Sequence, residues 1–258
     1  MQNILALICA RKGSKGVLGK NVREFLSYPI SYYTLSAYSL FLQNYHMEDL
    51  SFTLAVNTDS EELISQLEET KINYVQVERK ETLAGDRVSK IDVVRDSLKE
   101  AEKSTLKSFS YVLDMDITSP LRKVMDIHNI IEVMLGSNSA DIALSVTDAR
   151  RNPYFNQLKA DEEGFLTTVI HSDFIARQQT PPVFDANASL YVYHRNYLTN
   201  SDGIFLNAKL IGSVMEDTGI LDIDSEKDFR LLEVVAEYLY KTDASFGDIR
   251  ENIKNILV

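Results

Sequence analysis

A short cationic segment rich in glycine, residues 10–21, has the composition of an anion-binding loop. It reads Ala-Arg-Lys-Gly-Ser-Lys-Gly-Val-Leu-Gly-Lys-Asn, with four cations and three glycines. Glycines permit positive φ angles and bring backbone N–H groups close to a ligand, and lysine and arginine add charge-assisted hydrogen bonds to phosphate oxygens. Because the whole chain has a formal net charge of −11, this local positive charge favours a polyphosphate cradle over a solvated basic turn.

The glycine spacing excludes two common phosphate-binding motifs. A Walker A loop has four residues between its glycines and then Lys followed by Ser or Thr. Here five residues separate Gly13 from Gly19, and Asn21 follows Lys20. The segment also differs from the dinucleotide pattern G-x-G-x-x-G, because Gly13, Gly16 and Gly19 are evenly spaced by three residues. The segment therefore predicts a phosphate loop of another type.

Two Asp-x-Asp pairs could bind a divalent cation. Residues two apart on a strand project to the same face, about 6.5–7 Å apart, so Asp222 and Asp224 could share one Mg²⁺, which prefers oxygen ligands. Asp114 and Asp116 lie at the end of a predicted strand, where ligands bind in open α/β sheets. There, Asp116 could bind a metal or accept a hydrogen bond from a sugar hydroxyl. With 38 acidic residues such pairs also arise by chance, so each pair alone leaves its role open.

Arg177, Gln178 and Asn187 form a third polar group, in and just after an irregular stretch of the chain. An arginine and an amide suit the recognition of a carboxylate with neighbouring hydroxyl groups. An exposed polar loop is the simpler explanation of the same residues. The four histidines lack metal-ligand spacing and add no metal site.

Composition narrows the function classes. The chain has 38 Asp and Glu residues against 27 Lys and Arg residues. This acidic balance disfavours general nucleic-acid binding, which needs a basic face. Cys9 is the only cysteine, so an intrachain disulfide is excluded. The N-terminus lacks the pattern of a signal peptide, and no apolar run approaches the roughly 18–20 residues that span a bilayer. These features predict a cytoplasmic protein that does not bind membranes.

Alternating strands and helices in the first half of the chain would position these groups. Apolar runs predict strands at residues 4–9, 51–58, 72–78, 110–116 and 141–147. Apolar residues at helical spacing predict helices at residues 29–44, 91–103 and 124–135. Another helix is predicted to begin after a cap at Asp59 or Ser60. This order favours an α/β fold with a Rossmann-like, mostly parallel sheet flanked by helices.

The second half of the chain is less regular. Residues 149–184 mix prolines and a glycine with polar residues, which predicts a protruding segment with a short strand at 165–171, over the active-site mouth or in a dimer interface. Further strands are predicted at 188–194, 211–216 and 220–224, and helices at 225–240 and 246–257. No linker or internal repeat divides the chain, so residues 1–258 are predicted to form one domain.

The ordered set of motifs resembles that of the acylneuraminate cytidylyltransferases, the CMP-sialic acid synthetases. That family has A-R-x-G-S-K-G-x-x-x-K-N directly after its first strand, which residues 10–21 match. Similar motifs follow in the same order at residues 79–86, 118–122, 177–178, 187–191 and 220–224. The resemblance covers nearly the whole chain and implies a fold of the nucleotide-diphospho-sugar transferase type.

The resemblance implies a reaction of CTP with a nonulosonic acid, an acidic nine-carbon sugar, to give a CMP-sugar and pyrophosphate. The implied nucleotide-binding residues are Ala10, Arg11, Gly13, Ser14, Lys15, Lys20, Asn21, Arg79 and Ser89. Asp222 and Asp224 are the implied Mg²⁺ ligands, and Arg11, Lys15 and Asp224 are the implied catalytic residues. The sugar would be bound by Asp116, Arg177, Gln178 and Asn187, and its hydroxyl would be deprotonated by Asp224 or by water on the metal. The family further implies a homodimer.

Two departures from the family pattern leave the sugar open. Many members have glutamine where Asp116 stands, and a carboxylate repels the sugar carboxylate unless it binds metal or faces a hydroxyl group. The Asn-Gly of the family is Asn187-Ala188 here. Sialic, legionaminic, pseudaminic and deaminated nonulosonic acids all remain candidates. Activation of 3-deoxy-octulosonate and non-catalytic nucleotide binding are the alternative functions.

Overall fold

Apolar runs of the chain form the strands of one large sheet, and amphipathic segments form the helices that cover it. The computed structural model describes residues 1–13, 16–85, 88–219 and 223–258. Its strands are β1 (Gln2–Ala10), β2 (Glu24–Phe25), β3 (Tyr28–Pro29), β4 (Leu50–Thr58), β5 (Val75–Glu78), β6 (Tyr111–Met115), β7 (Ile142–Asp148), β8 (Leu158–Ala160), β9 (Leu166–Thr168), β10 (Phe184–His194) and β11 (Leu210–Val214). Its helices are α1 (Ile30–Asn44), α2 (Glu61–Glu68), α3 (Lys90–Thr105), α4 (Val124–Leu135), α5 (Arg195–Asn200), α6 (Glu226–Thr242) and α7 (Ala244–Ile256).

The main sheet has the strand order β11-β7-β10-β6-β1-β4-β5 in the described part of the chain. β1 pairs in parallel with β4 and β6, β4 with β5, and β7 with β11. β10 is antiparallel to both β6 and β7. It starts beside the end of β7, with Phe184 opposite Asp148, because residues 149–184 leave and re-enter the sheet at the same edge. The predicted mostly parallel sheet is therefore confirmed, with one strand reversed.

Both faces of the sheet are covered, which explains why the inner strand β1 is apolar without interruption from residue 4 to residue 10. Side chains alternate along β1, so Ile4, Ala6 and Ile8 pack on the side of α1, α4, α6 and α7. Leu5 and Leu7 pack on the opposite side, with α3 and α5. The carboxyl end of β1 is thereby held between two cores, and it delivers residue 11 to the edge of the sheet.

Helix caps follow the sequence signals. Ser60 Oγ accepts the Leu63 N–H at 3.2 Å, so Ser60 and not Asp59 begins α2. Ser225 forms a capping box with Asp228 at the start of α6.

None of the helices in the described ranges is both long and apolar enough to cross a bilayer. The assignment of residues 1–258 to one domain stays a prediction.

The predicted elements differ from the structure mainly in irregular regions. The third strand is shorter than predicted, and the predicted strand at 165–171 is the three-residue β9, which pairs with the unpredicted β8. The strand predicted at 220–224 lies partly outside the described residues, and Ile223 and Asp224 are not in a strand. Even so, Ile223 is buried and Asp224 is exposed, so the expected alternation applies to these two residues.

Candidate active site

The glycine-rich segment is anchored at both ends to the carboxyl edge of the sheet. The backbone N–H of Lys12 donates to Oδ1 of Asp59, just beyond β4, at 2.6 Å. Asn21 closes the segment by donating from Nδ2 to the Arg11 carbonyl at 3.0 Å. Arg11 reaches across to the Ala84 carbonyl through Nη1 at 3.3 Å. Ser14 and Lys15, which the sequence assigns to the phosphate site, lie outside the described residues.

The same segment contacts residues 223–224 closely. Lys20 Nζ donates to the Ile223 carbonyl at 2.9 Å. A Cβ atom built on Gly16 would lie 2.1 Å from the Asp224 carbonyl oxygen, which no real side chain tolerates. Glycine is therefore required at position 16 for this approach of two backbone segments. The predicted phosphate loop and the predicted metal ligand Asp224 are neighbours in the structure.

Asp224 lies just before α6, next to the glycine-rich segment. Its backbone N–H donates to Asp228 Oδ2 at 3.2 Å, so Asp228 supplies the capping carboxylate. The side chain of Asp224 itself is exposed beside the loop, and carboxylate oxygens are ligands that Mg²⁺ prefers. Asp222 lies outside the described residues, and no group of three or more His, Cys, Asp or Glu that could hold a metal ion occurs within them. The exposed Asp224 carboxylate next to a cationic loop fits a phosphate-bound Mg²⁺.

A cavity of about 260 Å³ lies between the glycine-rich segment and the carboxyl ends of β1, β5 and β6. Its polar lining consists of Arg11, Lys20, Asn21, Arg79, Lys90, Asp116 and Thr118, and its other residues are Cys9, Leu83, Gly85, Val88 and Val93. Larger cavities of about 520 and 700 Å³ border the C-terminal half of α1, and another of about 480 Å³ borders α5. None of the three is lined by a residue that the sequence assigns to a site. We assign the substrate site to the smaller cavity, because its lining brings those residues together.

Arg79 is held rigidly in this cavity. Its Nε donates to Oδ1 of Asn57 at 2.7 Å, and its backbone N–H donates to the Thr58 carbonyl at 3.2 Å. Asn57 is fully buried at the end of β4. The sequence does not single out Asn57, because an asparagine in a strand has many ordinary explanations and its burial is visible only in the structure. Its effect is to orient the guanidinium before any ligand binds.

Asp116 and Lys90 face each other at the floor of the cavity. Asp116 Oδ1 accepts from the Thr118 N–H at 2.8 Å and from the Thr118 hydroxyl at 2.7 Å. Lys90 Nζ lies 2.9 Å from Asp114 Oδ2 and 3.9 Å from Asp116 Oδ2. Burial acts to raise the pKa of Asp116, but Lys90 and Thr118 outweigh it and lower that pKa below its ordinary value. Burial acts to lower the pKa of Lys90, but Asp114 and Asp116 raise it well above its ordinary value.

Arg122 supports this floor from below and is 1% exposed. Its Nη2 donates to the carbonyls of Asp116 and Ser119, the latter at 3.0 Å, and its Nε also donates to Ser119, at 3.2 Å. Burial lowers the pKa of Arg122 to about 10, with Asp116 opposing the shift. The guanidinium stays charged at neutral pH and fixes the backbone that carries Asp116.

Replacement of Arg122 by Met is expected to lower the free energy of unfolding by about 3 kcal/mol, because it removes the guanidinium donors from the Asp116 and Ser119 carbonyls and a buried positive charge from beside Asp114 and Asp116. Urea unfolding measures this change. Arg195→Met is the matched control, since Arg195 pairs with Glu102 at the surface at 3.0 Å and is expected to cost about 1 kcal/mol or less. Equal losses in the two variants would contradict the structural role of Arg122.

The other residues that the sequence assigns to the sugar lie apart from the cavity lining. Arg177 and Gln178 are exposed in a short 3₁₀ helix, and Arg177 Nη2 donates to the Ala149 carbonyl at 3.0 Å. Asn187 is buried, and its Oδ1 accepts from Ser145 Oγ at 2.5 Å. Their roles toward the sugar stay predictions. Ser89, assigned to the nucleotide, caps α3 by accepting the Ile91 N–H at 3.2 Å.

The departure from Asn-Gly at residues 187–188 has a local backbone consequence. Ala188 has a φ of +53°, in the left-handed region that favours glycine. The register of β10 against β7 shifts between Ala186 and Tyr191, so the residue lies in a bulge. The methyl group of Ala188 thus makes this turn slightly strained.

Residues 149–184 expose an unusual amount of apolar surface. β8 and β9 form an antiparallel hairpin, with Leu158 opposite Thr168. The exposed apolar side chains of this segment are Phe155, Leu158, Phe165, Leu166, Val169, Ile170, Phe174, Ile175 and Phe184. Contiguous exposed apolar surface marks interaction sites in soluble proteins. We refer to this set below as the hairpin surface.

Sequence comparisons match most of the chain to known proteins. Residues 5–214 match the family model described as cytidylyltransferase. The post-translational flagellin modification protein B of Campylobacter coli is 35% identical over 234 residues, 90% of this chain and 94% of that protein. The CMP-N,N'-diacetyllegionaminic acid synthase of Campylobacter jejuni is 35% identical over 235 residues, with the same coverage. A synthase of the same name from Legionella pneumophila is 26% identical over 240 residues, 91% of this chain and 96% of that protein.

Solved structures agree with the predicted fold type. CMP:2-keto-3-deoxy-manno-octonic acid synthetase complexed with CTP superposes with a TM-score of 0.61 at 12% identity, over 92% of this chain and 99% of that chain. The 4-diphosphocytidyl-2C-methyl-D-erythritol synthase of Anaerococcus prevotii gives 0.57 at 15% identity, with the same coverage. At these identities the likeness concerns the fold alone, and it confirms the predicted nucleotidyltransferase architecture.

Proposed function

We propose that this chain, which belongs to the cytidylyltransferase family, couples CTP to a legionaminic-acid-type nonulosonic acid to give a CMP-sugar and pyrophosphate. The observation that carries the proposal is the contact of the cationic glycine-rich segment with residues 223–224, which brings phosphate-binding groups beside an acidic cation ligand. The names of relatives from Campylobacter jejuni and Legionella pneumophila support the choice of sugar. The carboxylate of Asp116, at a position where many sialic acid enzymes have glutamine, agrees with a different sugar.

The proposed reaction is an in-line transfer of the CMP group. The anomeric hydroxyl oxygen of the sugar bonds to the α-phosphorus, the bond from that phosphorus to pyrophosphate breaks, and the hydroxyl proton passes to Asp224 or to a water molecule. Such reactions depend on positioning and on neutralising phosphate charge. Arg11 and Lys20, with Lys15, would bind the triphosphate and the departing pyrophosphate. Lys20 is already oriented by its bond to the Ile223 carbonyl.

The remaining groups of the cavity fit a nucleoside. Arg79, fixed by Asn57, and Asn21, fixed by Arg11, offer directed donors to the base and the ribose. Asp222 and Asp224 would hold Mg²⁺, which supplies charge neutralisation at the phosphates when bound. The rest of the work, binding and orienting both substrates, belongs to the residues of the chain itself.

A substrate panel tests the proposal. Pyrophosphate release from CTP with Mg²⁺ is measured for N,N'-diacetyllegionaminic acid, N-acetylneuraminic acid, pseudaminic acid and 3-deoxy-octulosonate. We expect the highest kcat/KM with the legionaminic acid and complete loss of turnover after EDTA, restored by excess Mg²⁺. Preference for 3-deoxy-octulosonate would favour the alternative enzyme. No turnover with any sugar in folded protein with Mg²⁺ would favour a nucleotide-binding protein without catalysis.

The hairpin surface supports a homodimer as the assembled form. Its many exposed apolar side chains would be covered by a second copy of the chain. We expect light scattering to give twice the chain mass of 29.3 kDa for the wild type. The double variant Phe165→Glu with Leu166→Glu is expected to be monomeric, because two charges on the patch oppose its burial.

Val234→Glu is the control for this prediction, because Val234 is an equally exposed apolar residue on α6, at 68%. It is expected to remain dimeric. A monomer mass for the wild type, or a monomer produced by the α6 variant alone, would contradict the hairpin surface as the interface.

The requirement for CTP also supports a cytoplasmic location, which cell fractionation tests.

A further inference from the structure

Lys90 is a cavity residue to which neither the motifs nor the comparisons assign a role. It is the first residue of α3, and its side chain is 39% exposed, at the floor of the substrate cavity. Its ammonium lies between two carboxylates of β6 and the residues just after it, 2.9 Å from Asp114 and 3.9 Å from Asp116. Asp114 is only 1% exposed, so it anchors Lys90 from below. The lysine is thereby held in one orientation while part of it faces the cavity.

Asp116 is equally constrained. One carboxylate oxygen, Oδ1, is taken by the two hydrogen bonds from Thr118. Its backbone carbonyl accepts hydrogen bonds from Arg122 Nη2 and from the Thr34 hydroxyl, the latter at 3.3 Å. The other oxygen, Oδ2, faces Lys90, and the side chain is 31% exposed and lines the cavity. Asp116 therefore presents one fixed acceptor to a ligand.

A fixed carboxylate is unfavourable in a cavity that binds anions. Triphosphate and the carboxylate of an acidic sugar are both repelled by Asp116, and Asp114 adds negative charge below it. Among the described residues, Lys90 is the cation that forms ion pairs with both Asp114 and Asp116. Its charge offsets the repulsion while leaving Oδ2 of Asp116 able to accept a hydrogen bond from a hydroxyl group.

We propose that Lys90 is a positioning residue that acts through Asp116, orienting and neutralising it so that Asp116 Oδ2 accepts a hydroxyl group of the acidic sugar. The inference rests on the proposed function and extends it to the selection of the sugar. A purely structural role for Lys90 would be limited to neutralising the buried Asp114. The two roles make opposite predictions for paired substitutions.

The test is a double-mutant cycle of Lys90→Met and Asp116→Asn, with steady-state kinetics for CTP and for the sugar. Each single variant is expected to raise the KM for the sugar about tenfold and to change the KM for CTP less than about twofold, the usual scale of one lost directed contact. Adding Lys90→Met to Asp116→Asn is expected to change the sugar KM less than about twofold further. Lys90→Arg is expected to retain most of the wild-type sugar affinity.

A second pair keeps the test independent of folding. Lys90→Met leaves Asp114 buried without its cation, whereas Lys90→Met with Asp114→Asn removes that charge at nearly constant shape, and thermal unfolding compares their stability. Full recovery of the sugar KM in this double variant would overturn the inference, because Lys90 would then serve Asp114 only. Independent effects in the Asp116 cycle, or a change in the CTP KM instead of the sugar KM, would also overturn it. An inactive wild type would overturn the proposed function and the inference together, whereas an active wild type with any of those outcomes overturns the inference alone.

Discussion

The substitution Gly16→Ala is expected to lower kcat/KM for CTP about a hundredfold while leaving the fold intact. The added Cβ would lie 2.1 Å from the backbone carbonyl oxygen of Asp224, so one of the two backbone segments must move by an ångström or more. A displacement of about 1 Å in a catalytic arrangement is enough to cost about a hundredfold in rate. Pyrophosphate-release kinetics measure the loss, and thermal unfolding verifies that the protein is folded.

Gly13 supplies the matched control on the same segment. A Cβ built there meets nothing within 4 Å, so Gly13→Ala leaves the approach to Asp224 intact and is expected to lose about tenfold less activity than Gly16→Ala. If both variants lose activity equally, the general flexibility of the segment matters and the contact with Asp224 does not. If Gly16→Ala is as active as the wild type, the close approach of the two segments is not needed for catalysis.

Replacement of Asp224 by Asn is expected to lower kcat by more than about a hundredfold, the scale of removing a principal electrostatic stabiliser. The residue is exposed and its side chain is not the cap of α6, so the fold should persist. In the proposed site Asp224 holds Mg²⁺ at the phosphates, so the variant should also need more Mg²⁺ for half-maximal rate. Kinetics across a Mg²⁺ titration measure both effects.

Glu226→Gln is the control for charge near this site. Glu226 is exposed two positions further along and pairs with Arg23 at 2.5 Å. Its amide variant is expected to keep kcat within about twofold, since exposed ion pairs contribute little. Near-normal activity of Asp224→Asn would refute the metal-binding role, and a comparable loss in Glu226→Gln would indicate a general charge effect.

Much of the fold could be predicted from local patterns. The helix at residues 124–135 was predicted with the bounds it has, because its apolar spacing is regular and Gly136 follows it. The strand predicted at residues 51–58 lacks only the first residue of β4, because the apolar and β-branched residues from Phe52 to Val56 are typical of a strand. The reversal of β10 could not be predicted, since its direction depends on where residues 149–184 re-enter the sheet.

The candidate site was predictable only in part. Motif order placed Arg11, Lys20, Asn21, Arg79 and Asp116 in one site, and all five line the cavity. Lys90 and Asn57 were missed, because a lysine at a helix start and an asparagine in a strand have many ordinary explanations. Their significance comes from partners that are distant in the chain, as with Lys90 and Asp114. The assignments of Ser14, Lys15 and Asp222 stay predictions.

The sequence alone determined the chemistry that this protein can offer: a cationic glycine-rich segment after the first strand, a late acidic pair, and an order of motifs that identifies the family. These signals are local, and composition and spacing suffice to read them. The tertiary structure decided which groups meet. It brought Lys20 to Ile223, 203 residues away, and Gly16 against Asp224. It also joined Asp116 to Lys90 at the cavity floor and left Arg177 and Asn187 outside the cavity lining. Such contacts follow from strand order and direction, which no local pattern contains.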